Sequence, residues 1–182
     1  PDDPHAWHGL ARALAETEPD SKAAAEAQAE HATRLIAAAG RLVELAPDDW
    51  SGRRLRVRGL LGQQQREAAL VDLTAAIGLT DVSAEMRLLR GQTRLQLRQF
   101  QEAAEDFARA VELDPENIQT RYLCAVLSAE AGQFETAADH LSEVVQKVGV
   151  RVNPQVLYQL AQISLAAERP ESYRQVRSML VK

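Results

Sequence analysis

Along residues 102–117, EAAEDFARAVELDPEN, apolar side chains return at steps of three and four: Ala103, Phe107, Ala110, Val111 and Leu113. That spacing gathers them on one face of an α-helix. Moving 34 residues forward meets Ala137, Leu141, Val144 and Val145. Moving 34 back meets Ala69, Leu73, Ala76, Ile77 and Leu79, and another step back meets Leu35, Ala39, Leu42, Val43 and Leu45. The helix terminators keep the same period, with Pro47, Asp81, Pro115 and Gly149 each 34 apart. Residues 84–98 and 118–131, each ahead of one of these helices, and residues 154–167, after the last of them, also have helical spacing and end in short polar turns. The unit is therefore helix–turn–helix. One such pair cannot cover its own apolar face, and stacking on a neighbour does it.

These residues resemble the tetratricopeptide repeat family, whose first helix carries a bulky residue, a leucine, a small residue and another bulky one. Trp7, Leu10, Ala11 and Leu14 match that half. Gly91, Phe100, Ala103, Phe107, Ala110 and Pro115 match from the third unit, Ala125, Gly132, Phe134, Ala137 and Leu141 from the fourth, and Tyr158, Ala161 and Leu165 open a fifth. The resemblance covers essentially the whole chain. It implies an all-α fold, an α-solenoid of antiparallel helix pairs with nine to ten helices wound into a right-handed superhelix. The array is expected to run over residues 1–182 as one domain, with units 4–49, 50–83, 84–117, 118–153 and a partial unit 154–182.

The period also suggests a piece of a longer protein. Pro1-Asp2-Asp3 repeats the phrase Pro47-Asp48-Asp49 and has the character of a preceding unit's tail. The closing run ESYRQVRSMLVK is expected to be a helix whose Val176, Met179 and Leu180 want a neighbour. Self-association through such uncapped ends is a further expectation.

Two departures interrupt the beat. The first spacing is 46 rather than 34, so unit one carries about twelve extra residues between Ala15 and Leu35. Pro19-Asp20-Ser21 is a helix start signal, and the alanine-rich run after it predicts a second helix that begins early and projects. It is either a tolerated insertion or a partner-binding extension carrying Ala23, Ala27 and Ile36. The second departure is a belt of arginines, Arg53, Arg56, Arg87, Arg90 and Arg94, on first helices. Either their stems cover apolar surface while the guanidiniums reach carboxylates such as Glu67, Asp72, Glu102 or Asp106, or they form an anion-binding surface.

Composition adds limits. Alanine occupies 31 positions while aromatic residues make up 4%, which favours closely packed helices over a sandwich or barrel. Arginine outnumbers lysine 18 to 3, a compositional hint of a GC-rich bacterial genome. Net charge is −5, distributed as −6 over residues 1–49, +5 over 50–100 and −4 over 101–182. A local positive belt in an acidic protein argues for a specific acidic partner or internal pairing, and against bulk nucleic-acid binding. No aromatic platforms interleave the arginines as single-stranded nucleic acid would require. No run of about eighteen apolar residues spans a membrane, and no signal peptide is visible.

The chain offers little chemistry. His5 and His8 lack a third metal ligand, and Cys124 sits among apolar neighbours as a small hydrophobe would. No GxSxG, phosphate loop, dinucleotide fingerprint or HExxH occurs. No catalytic residue, metal or cofactor is assigned, and the chain is not expected to be an enzyme.

What the resemblance implies for function is a groove lined by first helices that holds an extended peptide or partner helix. Alignment puts His5, His8 and Arg12 there from unit one, and Arg54, Arg58 and Leu61 from unit two. Unit three gives Leu88, Gln92 and Leu95, unit four Tyr122, Val126 and Glu130, and unit five Tyr158, Gln162 and Leu165. The expected gradient is cationic early, then apolar and amide-bearing, to suit a partner that is acidic and then apolar. Family members that clamp a C-terminal carboxylate use lysines and asparagines. Arg54 and Arg58 stand at two of those places, but Leu89, Gln119 and Leu123 occupy the rest and cannot do that work. The other expectation is a structural spacer or regulatory domain within a larger protein.

Overall fold

The structure, a computed structural model, describes residues 3–17, 25–79, 83–148 and 153–169. Among them every regular element is an α-helix: α1 (Pro4–Glu16), α2 (Ala25–Leu45), α3 (Trp50–Gly62), α4 (Arg66–Leu79), α5 (Ala84–Gln96), α6 (Phe100–Leu113), α7 (Ile118–Glu130), α8 (Phe134–Val148) and α9 (Pro154–Ala166). The helices fall into two compact bodies, each larger than a single repeat: unit one, Pro1–Gln99, and unit two, Phe100–Lys182. Within unit one each of α1 to α5 packs on the next, and α1 also meets α3; within unit two α6 to α9 pack in order. The expected closing helix after residue 169 lies outside the described residues.

Local chemistry starts and stops these helices on schedule. Each first helix has a capping side chain that accepts backbone N–H groups left without partners: Asp3 for α1, Asp49 for α3, Ser83 for α5, Asn117 for α7 and Asn153 for α9. The turns after α3, α5, α7 and α9 each place one residue in the left-handed region: Gln64, Arg98, Gly132 and Glu168. The following amide then bonds back five residues, as Gln65 N–H to Leu60 O and Gln133 N–H to Ser128 O, both typical of a Schellman ending.

The periodic anchors are the core. Ala69, Ala103 and Ala137 each sit at the fourth position of a second helix, and all are fully buried. Leu73, Phe107 and Leu141, four residues on, are also fully buried, each contributing about 1.5–3 kcal/mol from burial. In unit one, Ala11, Ala15, Leu35, Ala39, Leu42 and Leu55 form one cluster, and Val57, Leu60, Ala69, Leu73 and Met86 another. In unit two, Ala125, Leu141, Val145, Leu157 and Leu160 form the third.

The insertion has a helical component. At 21 residues α2 exceeds the 14-residue α4 by seven, all at its N-terminal end, and Glu26 to Glu30 are exposed. Residues 18–24 lie outside the described residues. Ile36 is not part of a free stripe, because it packs against the second core cluster. Gly59 of α3 allows α2 to come close. A Cβ there would stand 2.7 Å from Ile36 Cγ1 and 3.1 Å from the Ala32 carbonyl. Gln63 fastens the same junction, donating to Thr33 Oγ1 at 2.6 Å.

Part of the arginine belt is structural. Arg56 of α3 grips the buried Asp72 of α4 with two hydrogen bonds, Nε to Oδ2 at 2.6 Å being one. Arg53 donates to the Pro47 carbonyl at 2.9 Å, and Arg121, two periods on, donates to the Pro115 carbonyl at 2.9 Å. Both tie a first helix to the turn six residues before it. In unit two Lys147 shares the Pro115 carbonyl and also pairs with Glu116, while Arg121 pairs with Glu143 at 2.7 Å.

Two stability experiments test this packing. Gly59→Ala is expected to lower the thermal midpoint, costing about 1–3 kcal/mol from overpacking. Gly78→Ala, where a Cβ meets nothing within 4 Å, is expected to raise it by about 0.4–1 kcal/mol through unfolded-state entropy. Circular dichroism melts giving both changes the same sign would refute the close approach. Cys124 supplies the second experiment. Burial, opposed by nearby Arg121, raises its pKa from 9.0 to about 11, so near neutral pH maleimide labelling of the folded chain should run about a hundredfold slower than of the unfolded chain. The linkage has a definite sign: the thiol's contribution to stability is intact below about pH 9 and lost as pH rises towards 11.

Candidate functional site

In unit one α1, α3 and α5 enclose a groove of about 530 Å³. His8 and Arg12 enter it from α1, and Arg54 and Arg58 from α3. Steps of four on each helix put both members of a pair on one face. Ala15, Leu55, Val57, Leu61 and Leu89 give it an apolar lining. So four of the basic residues expected in the groove are brought together around one cavity.

The groove's electrostatics are mixed rather than simply cationic. Arg12 Nε lies 2.7 Å from Glu16 Oε1 within α1. Arg54 Nη1 stands 3.5 Å from each carboxylate oxygen of Glu85, at the start of α5. The guanidinium of Arg54 also lies over the Trp50 ring, 5.5 Å from its centroid, a cation–π contact. Ser51 Oγ donates to Asp49 Oδ2 at 2.6 Å and is 3.4 Å from His8 Nδ1. That hydroxyl bond, the Ser51 backbone N–H and the nearby His8 together hold the Asp49 carboxyl below its usual range.

The other expected groove residues sit differently. Leu88, Gln92 and Leu95 are half-buried on α5, but that helix turns Glu85 and Leu89 into the cavity instead. In unit two the Tyr122 hydroxyl of α7 donates to Gln159 Oε1 of α9 at 2.9 Å. Along α9, Gln162 donates to the Tyr158 hydroxyl at 3.1 Å. Val126 is half-buried on α7, whereas Tyr158, Gln162 and Leu165 are exposed on α9.

Several features escaped the sequence reading. Glu16 was findable, lying four residues after Arg12 on a helix. Glu85 gave no such signal, because only the packing of α5 on its unit brings it to Arg54. Unit two also has a cavity of about 540 Å³ lined by Phe100, Gln101, Ala104, Leu127, Ser128, Glu130, Ala131 and Gln133. No periodic position marks it. Among the described residues no three of His, Cys, Asp and Glu gather to hold a metal ion, and no helix is long and apolar enough to cross a membrane.

Comparison with known proteins fits this geometry. Residues 94–151 match the tetratricopeptide repeat family. No curated protein sequence matches the chain. Among solved structures, YrrB, described as a tetratricopeptide repeat protein with an unusual peptide-binding site, is similar at a TM-score of 0.78 and 14% identity, over 99% of this chain and 86% of its own. A crystal structure of MamA is similar at 0.76 and 10% identity, over 98% and 90%. PilF of Pseudomonas aeruginosa is similar at 0.67 and 13% identity, over 98% and 75%. The chain therefore carries a tetratricopeptide-repeat domain, an all-α solenoid of antiparallel helix pairs: residues 94–151 belong to that family, and its fold extends over nearly the whole chain.

Proposed function

We propose that the chain is a non-catalytic protein-interaction scaffold whose first-helix face holds an extended peptide or partner helix. The segment it takes is acidic where it meets unit one and apolar where it meets unit two. The observation that carries this reading is the convergence of His8, Arg12, Arg54 and Arg58 on one groove with an apolar floor of Leu55, Leu61 and Leu89. Guanidinium forks suit carboxylates in two-point contact, and the leucines beside them suit an adjacent aliphatic side chain. Tyr122, Val126, Tyr158 and Gln162 would serve the apolar stretch, with rigid rings tipped by hydroxyls and an amide to bond extended backbone. YrrB, whose description names a peptide-binding site, is a precedent on the same fold.

Nucleic acid suits this groove poorly, since Glu16 and Glu85 stand among the arginines and repel a phosphate backbone. The Ser51 hydroxyl is taken up by the cap of α3, donating a hydrogen bond to Asp49 as the Ser51 backbone N–H also does. A second reading, a spacer or regulatory domain of a larger bacterial protein, draws on the same internal pairs. Arg12 and Arg54 already have carboxylates of their own.

A peptide array of acidic–apolar segments separates the two. The wild-type chain is expected to select such peptides, and Arg54→Glu with Arg58→Glu to weaken capture by about tenfold or more while leaving the helical melt in place. The milder pair Arg54→Gln with Arg58→Gln covers the case in which charge reversal disturbs folding. Capture unaltered in both variants sinks the groove, and no selection by the wild-type chain supports the spacer.

A further inference from the structure

Resting on the peptide-binding reading above, we propose that Glu85 is a built-in competitor for the partner's carboxylate and so sets how tightly the groove of unit one takes an acidic segment. The ion pairs of unit one differ in a way that distance and exposure make plain. Arg56 and Asp72 approach to 2.6 Å with the Asp72 side chain only 4% exposed, so separating them would strand a buried charge. Arg54 and Glu85 meet at 3.5 Å, with side chains 44% and 54% exposed. A pair that loose and that wet is held weakly, and either partner can turn to another ion.

Position separates Glu85 from the groove's other acid. Glu16 lies on the same helix as Arg12, one turn away at 2.7 Å, so that pair is local to α1 and does not cross the groove. Glu85 reaches Arg54 from another helix, across the cavity that both line. Its charge has a second stabiliser that Arg54 does not supply, because it sits in the first turn of α5, where the helix dipole favours an anion. Arg54 in turn has Trp50 beneath it, so the guanidinium keeps its place when Glu85 lets go. The exchange is therefore one carboxylate for another on a fixed cation. The matching partner group is a carboxylate beside an aliphatic side chain, which would settle on Leu55 and Leu89.

Fluorescence anisotropy with two labelled probes tests this: a peptide of two aspartates followed by two leucines, and its twin with asparagines for aspartates. Glu85→Gln is expected to tighten the aspartate probe about two- to fivefold, the range an exposed pair allows, and to leave the asparagine twin unmoved. Glu67→Gln, the same change of charge at an exposed site on α4 outside the groove, should move neither probe. In an Arg54→Gln background the gain from Glu85→Gln should vanish, the coupling a double-mutant cycle reads. If the wild-type chain binds the aspartate probe but Glu85→Gln leaves its affinity unchanged, or the gain survives without Arg54, the competitor idea is overturned and the groove reading stands. If the wild-type chain does not prefer the aspartate probe to its twin, the groove reading falls and takes this inference with it.

Discussion

Helices of 13 or 14 residues, such as α5 and α4, are marginal in water by themselves, because nucleation is costly and each turn adds little. They hold here only by pressing one face against neighbours at close range. Alanine makes that approach possible: it brings the backbones together and loses no side-chain rotamer freedom on burial. Ala69, Ala103 and Ala137 have no exposed surface at all, and each has a large side chain, Leu73, Phe107 or Leu141, one turn further along the same helix. Small then large, repeated every 34 residues, is the steric rule that the rest of the molecule accommodates.

Close packing also explains where the arginines went. Short turns between packed helices leave carbonyl groups facing outward at the turn, and each needs a donor. Arg53 and Arg121 reach back to supply one for Pro47 and Pro115. Arg56 takes another course, locking α3 to α4 through Asp72. The arginines of α3 are thus of two kinds. Arg53 and Arg56 serve packing, while Arg54 and Arg58, one or two residues round the helix, face the groove. A step of 100° between adjacent residues of an α-helix is enough to separate scaffold from site.

That same step marks the limit of what could be read from the one-letter code. Periodicity is a property of composition along the chain, so the anchors such as Ala69, Ala103 and Ala137 and the helix ending at Gly132 were legible, whereas the caps Ser83 and Asn117 and the turn at Gln64 carry no periodic signal. The meeting of His8 and Arg12 with Arg54 and Arg58 around one cavity was legible only through the family resemblance, which aligns the first helices. The placement of Leu89 rather than Leu88 in the cavity was not, since it depends on how α5 is rotated about its axis. Nor was the 3.5 Å approach of Glu85 to Arg54, between residues 31 apart whose proximity is a matter of tertiary packing. The second cavity, between the start of α6 and the end of α7, comes from side-chain shapes around Phe100 and Leu127, and those leave no trace in a period.

The distribution of charge bears on what sort of recognition this groove can perform. Unit one holds 13 basic and 14 acidic side chains, so at distances beyond about a Debye length, near 8–10 Å, its field is close to neutral. An acidic segment is therefore not drawn in from afar, as it would be to a strongly cationic face. On the proposed reading selectivity comes at contact, from Arg12, Arg54 and Arg58 set against Glu16 and Glu85 over a leucine floor. A long polyanion would then meet Glu16 and Glu85 as well as the arginines, whereas a segment offering one carboxylate and one aliphatic side chain would satisfy both surfaces at once. The carboxylates inside the groove would thus do more than lower its charge: on that reading they narrow what fits from anything negative to a particular juxtaposition of charge and oil.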